Sequence, residues 1–257
     1  MNDRRNGQAG DAWDDGRHAG DTAASVSLQC HPDAMHWAEA AAAEIAQALA
    51  AQLQAQDSAR LLLSGGSTPD LVHRRLAHYP LPWNRISIGL VDERWGPPGH
   101  AGSNAALLQA ALRDTPAHAA RFTPLIQPDM TLEAAVDAAN ARAYTDGLPC
   151  LAVLGMGEDG HIASLFPGAA SLLPAFADPR TYAAFDATGC AVAAPWPQRI
   201  TLTPAGLMRT GARMLLIRGD TKREVLQRAL VIHDPLRYPV RVAITAPQAC
   251  LRVHWCP

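Results

Sequence analysis

The sequence has little of what marks exported, membrane-spanning or nucleic-acid-binding proteins. Its longest apolar runs, such as Leu151 to Met156, fall far short of the roughly 20 residues that cross a bilayer. The 22 Lys and Arg residues nearly balance 24 Asp and Glu residues, so the net charge of -2 offers no general attraction to nucleic acid or anionic lipid. The first twenty residues lack the apolar core of a signal peptide. We therefore expect a cytoplasmic protein that binds neither nucleic acid nor membrane.

Patterns that bind metals and common cofactors are also missing. The five cysteines are widely spaced and form no C-x-x-C pair, and the ten histidines include no H-E-x-x-H cluster. The chain carries neither the G-x-x-x-x-G-K-[ST] phosphate loop nor the G-x-G-x-x-G dinucleotide motif. We expect no metal and no other cofactor, which disfavours nucleotide-dependent and redox chemistry.

The organisation of the chain is that of one domain after a short tail. Residues 1–24 are rich in Gly, Asp and Arg and predict a flexible N-terminal tail, whereas residues 25–257 contain no low-complexity linker and no internal repeat. A helix is predicted over Trp37 to Gln54, where apolar residues recur every four positions. Short apolar runs at 60–63, 86–91, 150–154 and 214–217 each precede a helical or glycine-rich segment. This alternation predicts an α/β fold with a doubly wound, mostly parallel, Rossmann-like sheet.

Ligands of such sheets bind beyond the carboxyl ends of the strands, and a glycine turn follows the first of these runs. In that turn paired glycines permit close approach of a ligand, and the helix that follows presents unpaired N–H groups to an anion. Its residues are therefore candidates for phosphate binding, although an ordinary helix cap has the same pattern: they are Gly65, Gly66, Ser67 and Thr68.

A charged triplet, Asp92-Glu93-Arg94, ends the second run. Charged groups at the end of a buried strand are costly unless they are paired or used by a ligand. The alternative to a functional role is an Asp92–Arg94 salt bridge, or a cap in which Asp92 stabilises a turn. Taken alone, the triplet does not decide between these interpretations.

The third run leads into a glycine-rich segment that contains Asp159 and His161, at what we expect to be a strand-to-helix junction. Histidine titrates near neutral pH and can accept a proton from water. A carboxylate two residues earlier can fix its tautomer and stabilise the cation that forms. His161 is thus a candidate general base and Asp159 its orienting group.

These motifs together resemble the 6-phosphogluconolactonase family. The chain contains, in order, S-G-G-S-T-P, V-D-E-R followed by S-N, G-M-G-E-D-G-H-I-A-S-L-F-P, R-I-T-L-T and G-D-T-K-R-E-V-L. The resemblance covers roughly residues 37 to 230. It implies hydrolysis of 6-phospho-D-glucono-1,5-lactone in the oxidative pentose phosphate pathway. We expect an enzyme that needs no cofactor and is a monomer or a weak homo-oligomer.

The resemblance also implies roles for individual residues. The catalytic group would be His161, with Asp159 and Asp92, and the glycine turn would contact the substrate's phosphate. Arg94, Arg199 and Lys222 would bind the substrate, although Arg199 has the alternative of facing water beside a strand, and Lys222 that of a solvated lysine in a first helical turn. From the chemistry of ester hydrolysis, we also expect backbone donors near Gly157 to Gly160 to stabilise the tetrahedral oxyanion.

Two other functions remain open at this point. Glucosamine-6-phosphate deaminases share the fold, the glycine turn and a D-G-H segment. They resemble D-E-Y at the triplet and F-N-E-P after D-G-H-I-A, where this chain has Ser164-Leu165-Phe166-Pro167. The missing Glu favours the lactonase. A sensor that binds a sugar phosphate without turnover is the second alternative, and the intact pair of Asp159 and His161 argues against it.

Overall fold

A computed structural model describes residues 26–97, 99–245 and 250–257. The tail predicted over residues 1–24 lies outside the described residues, so this tail and its boundary stay predictions. Within the described part, the strands are Val26–Cys30 (β1), Ala59–Leu63 (β2), Ile86–Leu90 (β3), Asp92–Arg94 (β4), Arg121–Phe122 (β5), Leu151–Gly155 (β6), Tyr182–Asp186 (β7), Gln198–Leu202 (β8), Ala212–Arg218 (β9) and Leu251–Cys256 (β10). The α-helices are Ala34–Ala55 (α1), Ser67–Leu76 (α2), Asn104–Leu112 (α3), Leu132–Thr145 (α4), Leu172–Ala177 (α5), Pro204–Met208 (α6), Asp220–Val231 (α7) and Arg241–Thr245 (α8).

The main sheet has seven parallel strands in the order β1-β10-β9-β6-β2-β3-β5. From β2 the chain moves outward through β3 to β5, and then returns through β6 and β9 to β10 on the other side. Because crossovers between parallel strands are right-handed, opposite directions of travel place the connecting helices on opposite faces. The predicted α/β fold with a doubly wound, Rossmann-like sheet is confirmed.

The helix predicted at the start is α1, and its apolar stripe faces the core. Trp37, Ala41, Ile45 and Leu49 are fully buried, and the Asp33 side chain caps the helix by accepting from the backbone N–H groups of Met35 and His36. One continuous cluster of buried apolar side chains extends from α1 through the sheet to β10. No helix among the described residues is long and apolar enough to span a bilayer.

A second sheet of three antiparallel strands, β4-β8-β7, lies beyond the carboxyl end of β3. The charged triplet that follows the second apolar run is therefore itself a strand. Its register pairs Asp92 with Thr201 and Arg94 with Arg199. Pairing with β8 satisfies the backbone of this short strand and brings two arginines side by side.

The expected strand-to-helix junction around His161 is wrong. After β6 the chain forms turns and two isolated bridges, Met156 with Ile162 and Ile162 with Leu165. Gly160 and Ala163 have positive φ angles of 82° and 50°, which a helix does not accommodate. The next helix, α5, begins only at Leu172.

Candidate functional site

The carboxyl ends of β2, β3, β6 and β9 surround a cavity of about 250 Å³. It gathers the predicted site residues from segments that are far apart in sequence. Those that line it are Gly65, Gly66, Ser67, Thr68, Asp92, Arg94, His161, Arg199 and Lys222. Asp159 lies just behind this wall, against His161. A larger surface cavity of about 420 Å³ borders Arg113, His118 and Phe122 and contains none of these residues.

The glycine turn opens directly onto the cavity and leads into α2. Gly66 precedes the first helical residue with φ of 99°, a conformation that side chains rarely adopt, so glycine is required there by the backbone. Gly65 is required for space, since an added Cβ would overlap the side chain of Asn104. No side chain caps α2, and the residues at its start line the cavity, where the partial positive charge of a helix N-terminus favours an anion.

His161 is half enclosed at the cavity wall and is bonded to Asp159. The ring Nδ1 lies 2.6 Å from Oδ1 of Asp159, and the same oxygen accepts from the backbone N–H of His161 at 3.1 Å. Burial alone would raise the pKa of Asp159, but these bonds and the charge of the imidazole hold it below its usual value. The ring of Phe166 packs against the imidazole, with centroids 4.3 Å apart. These contacts fix the orientation of the imidazole ring and leave its second nitrogen, Nε2, without a bond to Asp159.

Two of the backbone donors expected to form an oxyanion site are engaged within the loop. The N–H of Gly157 donates to the His161 carbonyl, and that of Gly160 donates to the Gly157 carbonyl. These bonds shape the turn around the imidazole. Gly157 is also a position of close approach, because an added Cβ would overlap the ring of His161.

The side chains of β4 alternate between two environments. Glu93 points away from the cavity and caps α3, accepting from the N–H groups of Asn104 and Ala105 at 2.8 Å each. Burial raises its pKa against the opposing effect of these bonds. Asp92 and Arg94 face the cavity. The hydrogen bonds of Asp92 go to Asn104 and Ser164, not to Arg94, so neither the salt bridge nor the Asp92 cap describes this triplet.

Arg94 and Arg199 lie beside each other on neighbouring strands. Arg94 donates from Nη1 to the Gly102 carbonyl at 2.5 Å, and Arg199 donates to the carbonyls of Trp196 and Ala193 at 2.6 and 3.0 Å. Arg199 is only 5% exposed, so the water-facing alternative is wrong. Burial lowers its pKa, Asp92 opposes this, and the charge of Arg94 adds to the lowering.

Lys222 enters the cavity from the first turn of α7, which follows β9. Burial lowers its pKa, while the nearby charge of Glu158 opposes that effect. The lysine is therefore half-buried and lines the cavity. Three cationic side chains thus converge on one cavity, a distribution that suits a dianionic group of a ligand.

Several residues of the site had no predicted role, and three of them contact predicted site residues. Asn104, Ser164 and Phe166 all contact predicted site residues, and all are buried. The S-N and S-L-F-P segments contain them, but only the long-range contacts distinguish them from ordinary helix-cap and core residues. Among the described residues, no group of three or more His, Cys, Asp and Glu side chains is arranged to hold a metal ion.

Comparison with known proteins identifies the family. A family model described as Glucosamine-6-phosphate isomerases/6-phosphogluconolactonase matches residues 32–255. A Xylella fastidiosa protein named 6-phosphogluconolactonase is 48% identical over 233 residues, 91% of this chain and 97% of that protein. A Pseudomonas aeruginosa protein of the same name is 39% identical over 241 residues, 91% of this chain and 96% of that protein.

Solved structures agree with this result. A 6-phosphogluconolactonase from Shewanella baltica matches with a TM-score of 0.85 and 28% identity, covering 91% of this chain and 98% of that one. The fold therefore matches over the same span as the sequence. With the family model matching residues 32–255 and both relatives above 30% identity, the chain belongs to the family of glucosamine-6-phosphate isomerases and 6-phosphogluconolactonases.

Proposed function

We propose that this protein hydrolyses 6-phospho-D-glucono-1,5-lactone to 6-phospho-D-gluconate, a step of the oxidative pentose phosphate pathway. The relatives named 6-phosphogluconolactonase align over nearly their whole length, 97% and 96%. The observation that carries the proposal is the bond between Nδ1 of His161 and Asp159 at the wall of a cavity lined by three cations. His161 supplies a base, and the cavity supplies a binding site for a phosphorylated substrate.

In this mechanism, Nε2 of His161 accepts a proton from a water molecule as the water oxygen attacks the lactone carbonyl. The C1–oxygen bond of the ring then breaks, and the imidazolium returns the proton to the departing ring oxygen. Asp159 stabilises the cation in between and keeps the proton on Nδ1 of the resting ring. Water is consumed and no redox equivalent is needed.

The cations and the glycine turn hold the substrate in this proposal. Lys222, Arg94 and the N–H groups at the start of α2 attract the phosphate, and Arg199 adds positive charge beside Arg94. A bound phosphate orients the ring relative to His161, which lowers the entropic cost of the attack. We assign Arg199 a role in substrate binding. Two of its N–H groups already donate to backbone carbonyls, and the others can bind a ligand.

This chain lacks the carboxylate that the deaminase alternative would require in the segment after His161. Ser164 is hydrogen-bonded to Asp92, and Leu165 and Phe166 are core residues, so the segment after His161 offers no further acid to the cavity. The sensor alternative would not require a base with a fixed tautomer. We further propose that the protein acts in the cytoplasm on a small-molecule substrate, as a monomer or weak homo-oligomer, without nucleic acid or metal.

The test is hydrolysis of freshly generated 6-phospho-glucono-lactone, followed by proton release with and without a chelator. We expect rapid acid production in both cases, and a loss of roughly 10²- to 10⁴-fold in kcat for His161→Ala, as for removal of a general base. Ammonia release from glucosamine 6-phosphate without lactone turnover would instead establish the deaminase. Binding of 6-phosphogluconate without either reaction would favour the sensor.

A further inference from the structure

Asp92 lies at the centre of a buried set of hydrogen bonds, which we call the Asp92 cluster (Asp92, Asn104 and Ser164). Its Oδ2 accepts from the Ser164 hydroxyl at 2.6 Å, and its Oδ1 accepts from Nδ2 of Asn104 at 3.2 Å. The same Asn104 nitrogen also donates to the Asp92 carbonyl at 2.9 Å. The three residues are 6%, 1% and 0% exposed.

These bonds fix the orientation of the Asp92 carboxylate. Each carboxylate oxygen already accepts from a neutral donor of the protein. Loss of either bond in this buried environment would leave a polar group unmet, at a cost of about 1–3 kcal/mol, so the two bonds hold the carboxylate in one orientation. His161, by contrast, has a ring nitrogen that is not used by Asp159.

The cluster joins three segments that form the cavity. Asp92 belongs to β4, two residues before Arg94, and Asn104 is the first residue of α3. Ser164 follows His161 by three residues, and its N–H donates to the Thr201 hydroxyl of β8 at 3.0 Å. The cluster therefore holds the His161 loop against the strand that carries Arg94.

Asn104 extends the same connection to the glycine turn. Its two amide hydrogens face Asp92, so its Oδ1 points the other way, where it contacts Gly65 closely enough to exclude any Cβ. That oxygen is buried and has no hydrogen-bond partner. The turn that faces the ligand is thus set against the same buried network.

We propose that Asp92 is a positioning residue, which fixes His161, Arg94 and the glycine turn relative to one another through Ser164 and Asn104, and that it transfers no proton. This inference rests on the proposed lactonase function and departs from the catalytic role that the family resemblance implies for Asp92. The role follows from the bonds of the cluster, since a neutral group of the same shape can make the same contacts.

The decisive comparison is between Asp92→Asn and Asp92→Ala. An asparagine can accept from Asn104 and donate to Ser164, whose hydroxyl rotates to receive the bond. We expect Asp92→Asn to keep kcat within roughly tenfold of the wild type with an unchanged pH profile, and Asp92→Ala to lose roughly 10²-fold or more. Equal losses of 10²- to 10⁴-fold in both variants would assign Asp92 to proton transfer and overturn the proposal.

Ser164→Ala provides a second test within the same cluster. Alone it should lower kcat by roughly tenfold, whereas in the Asp92→Ala background it should add little, because its bond is already lost. If the fold-losses in kcat of the two single variants multiply in the double variant, the two residues act separately, and the proposal is overturned. Circular dichroism and thermal unfolding identify any variant that does not fold, and the milder Ser164→Ala keeps the test available in that case.

Ligand affinity separates this inference from the proposed function. Calorimetric titration with 6-phosphogluconate should give weaker binding by about tenfold or more in Asp92→Ala, and wild-type-like binding in Asp92→Asn. If the wild type binds this compound but does not hydrolyse the lactone, the proposed function fails while the affinity pattern still tests the cluster. Equal weakening in Asp92→Asn and Asp92→Ala would contradict the positioning role.

Discussion

Nδ1 of His161 and Oδ1 of Asp159 are 2.6 Å apart, and the imidazole can only be the donor, because the low pKa of Asp159 keeps this carboxylate ionised. The proton of the neutral ring is therefore on Nδ1, and Nε2 carries the lone pair. Asp159 precedes His161 by only two residues, so the loop itself sets this geometry. The functional consequence is a base of defined tautomer at the cavity wall.

Replacing Asp159 with asparagine tests this relationship. The amide can donate to Nδ1, which favours the tautomer with the proton on Nε2 and removes the charge that stabilises the imidazolium. We expect kcat to fall by roughly 10²-fold or more with a smaller change in KM. Asp178→Asn, at a carboxylate that is 14% exposed and paired with Arg180 outside the cavity, is the matched control and should retain wild-type kinetics. A fully active Asp159→Asn would remove the orienting role.

A methyl group at Gly157 provides a steric test of the same site. The added Cβ would overlap the His161 ring and lie 2.6 Å from Oδ1 of Asp159, so the imidazole must move. We expect Gly157→Ala to fold and to lose most of its turnover. Gly155→Ala, at the last residue of β6, places its Cβ no closer than 3.7 Å to the Ser64 hydroxyl and is the steric control for folding. Steady-state kinetics and thermal unfolding of both variants, measured together, distinguish displacement of the base from unfolding.

Much of this fold follows from local sequence patterns. The four-residue spacing of Trp37, Ala41 and Ile45 predicted α1, and short apolar runs predicted strands of the parallel sheet, because burial on both faces selects continuous apolar segments. The antiparallel sheet was not predicted. Strand β4 has only three residues, all charged, and what stabilises it is pairing with β8 about a hundred positions away, which no local pattern encodes.

The site residues likewise include some that local sequence patterns predicted and some that they did not. Residues within conspicuous motifs, such as His161 and Lys222, were found from the sequence and line one cavity. Asn104 and Ser164 were not assigned, because a serine and an asparagine are ordinary in turns and at helix starts. Their importance comes from burial and from bonds to Asp92 across 12 and 72 positions.

Lys222 and Arg94 are expected to act mainly in substrate binding. Replacing either with methionine removes a charge-assisted contact worth about 1.5–3 kcal/mol, which corresponds to a rise in KM of roughly ten- to a hundredfold. Since the phosphate lies away from the bonds that change, kcat should fall less than kcat/KM. Arg228→Met is the matched control for Lys222, because Arg228 lies on the same helix in an exposed pair with Glu224. An unchanged KM in both Lys222→Met and Arg94→Met would refute the assignment as phosphate anchors.

His73 predicts how stability depends on pH. It lies on α2 at 4% exposure with no partner for Nε2, and burial lowers its pKa to about 4 despite the opposing charge of Asp70. Since the unfolded chain binds a proton near pH 6.5 and the folded chain does not, the contribution of His73 is complete above that pH and declines as the pH falls toward 4. Between pH 7.5 and pH 5 the free energy of unfolding should fall by about 2 kcal/mol from this residue alone.

The measurement is urea unfolding of the wild type and His73→Leu at both pH values. Leucine fills a similar volume and does not titrate, so the variant should lose about 2 kcal/mol less than the wild type on acidification. His78→Leu, at an exposed position on the turn after α2, should keep the pH dependence of the wild type. Parallel curves for His73→Leu and the wild type would mean that His73 is protonated within the fold, and other buried groups whose pKa is lowered by folding, such as His254, would have to account for any acid sensitivity. If only His73→Leu differs from the wild type in the pH dependence of its unfolding free energy, the residue that makes the fold acid-sensitive lies in α2, the helix that follows the glycine turn.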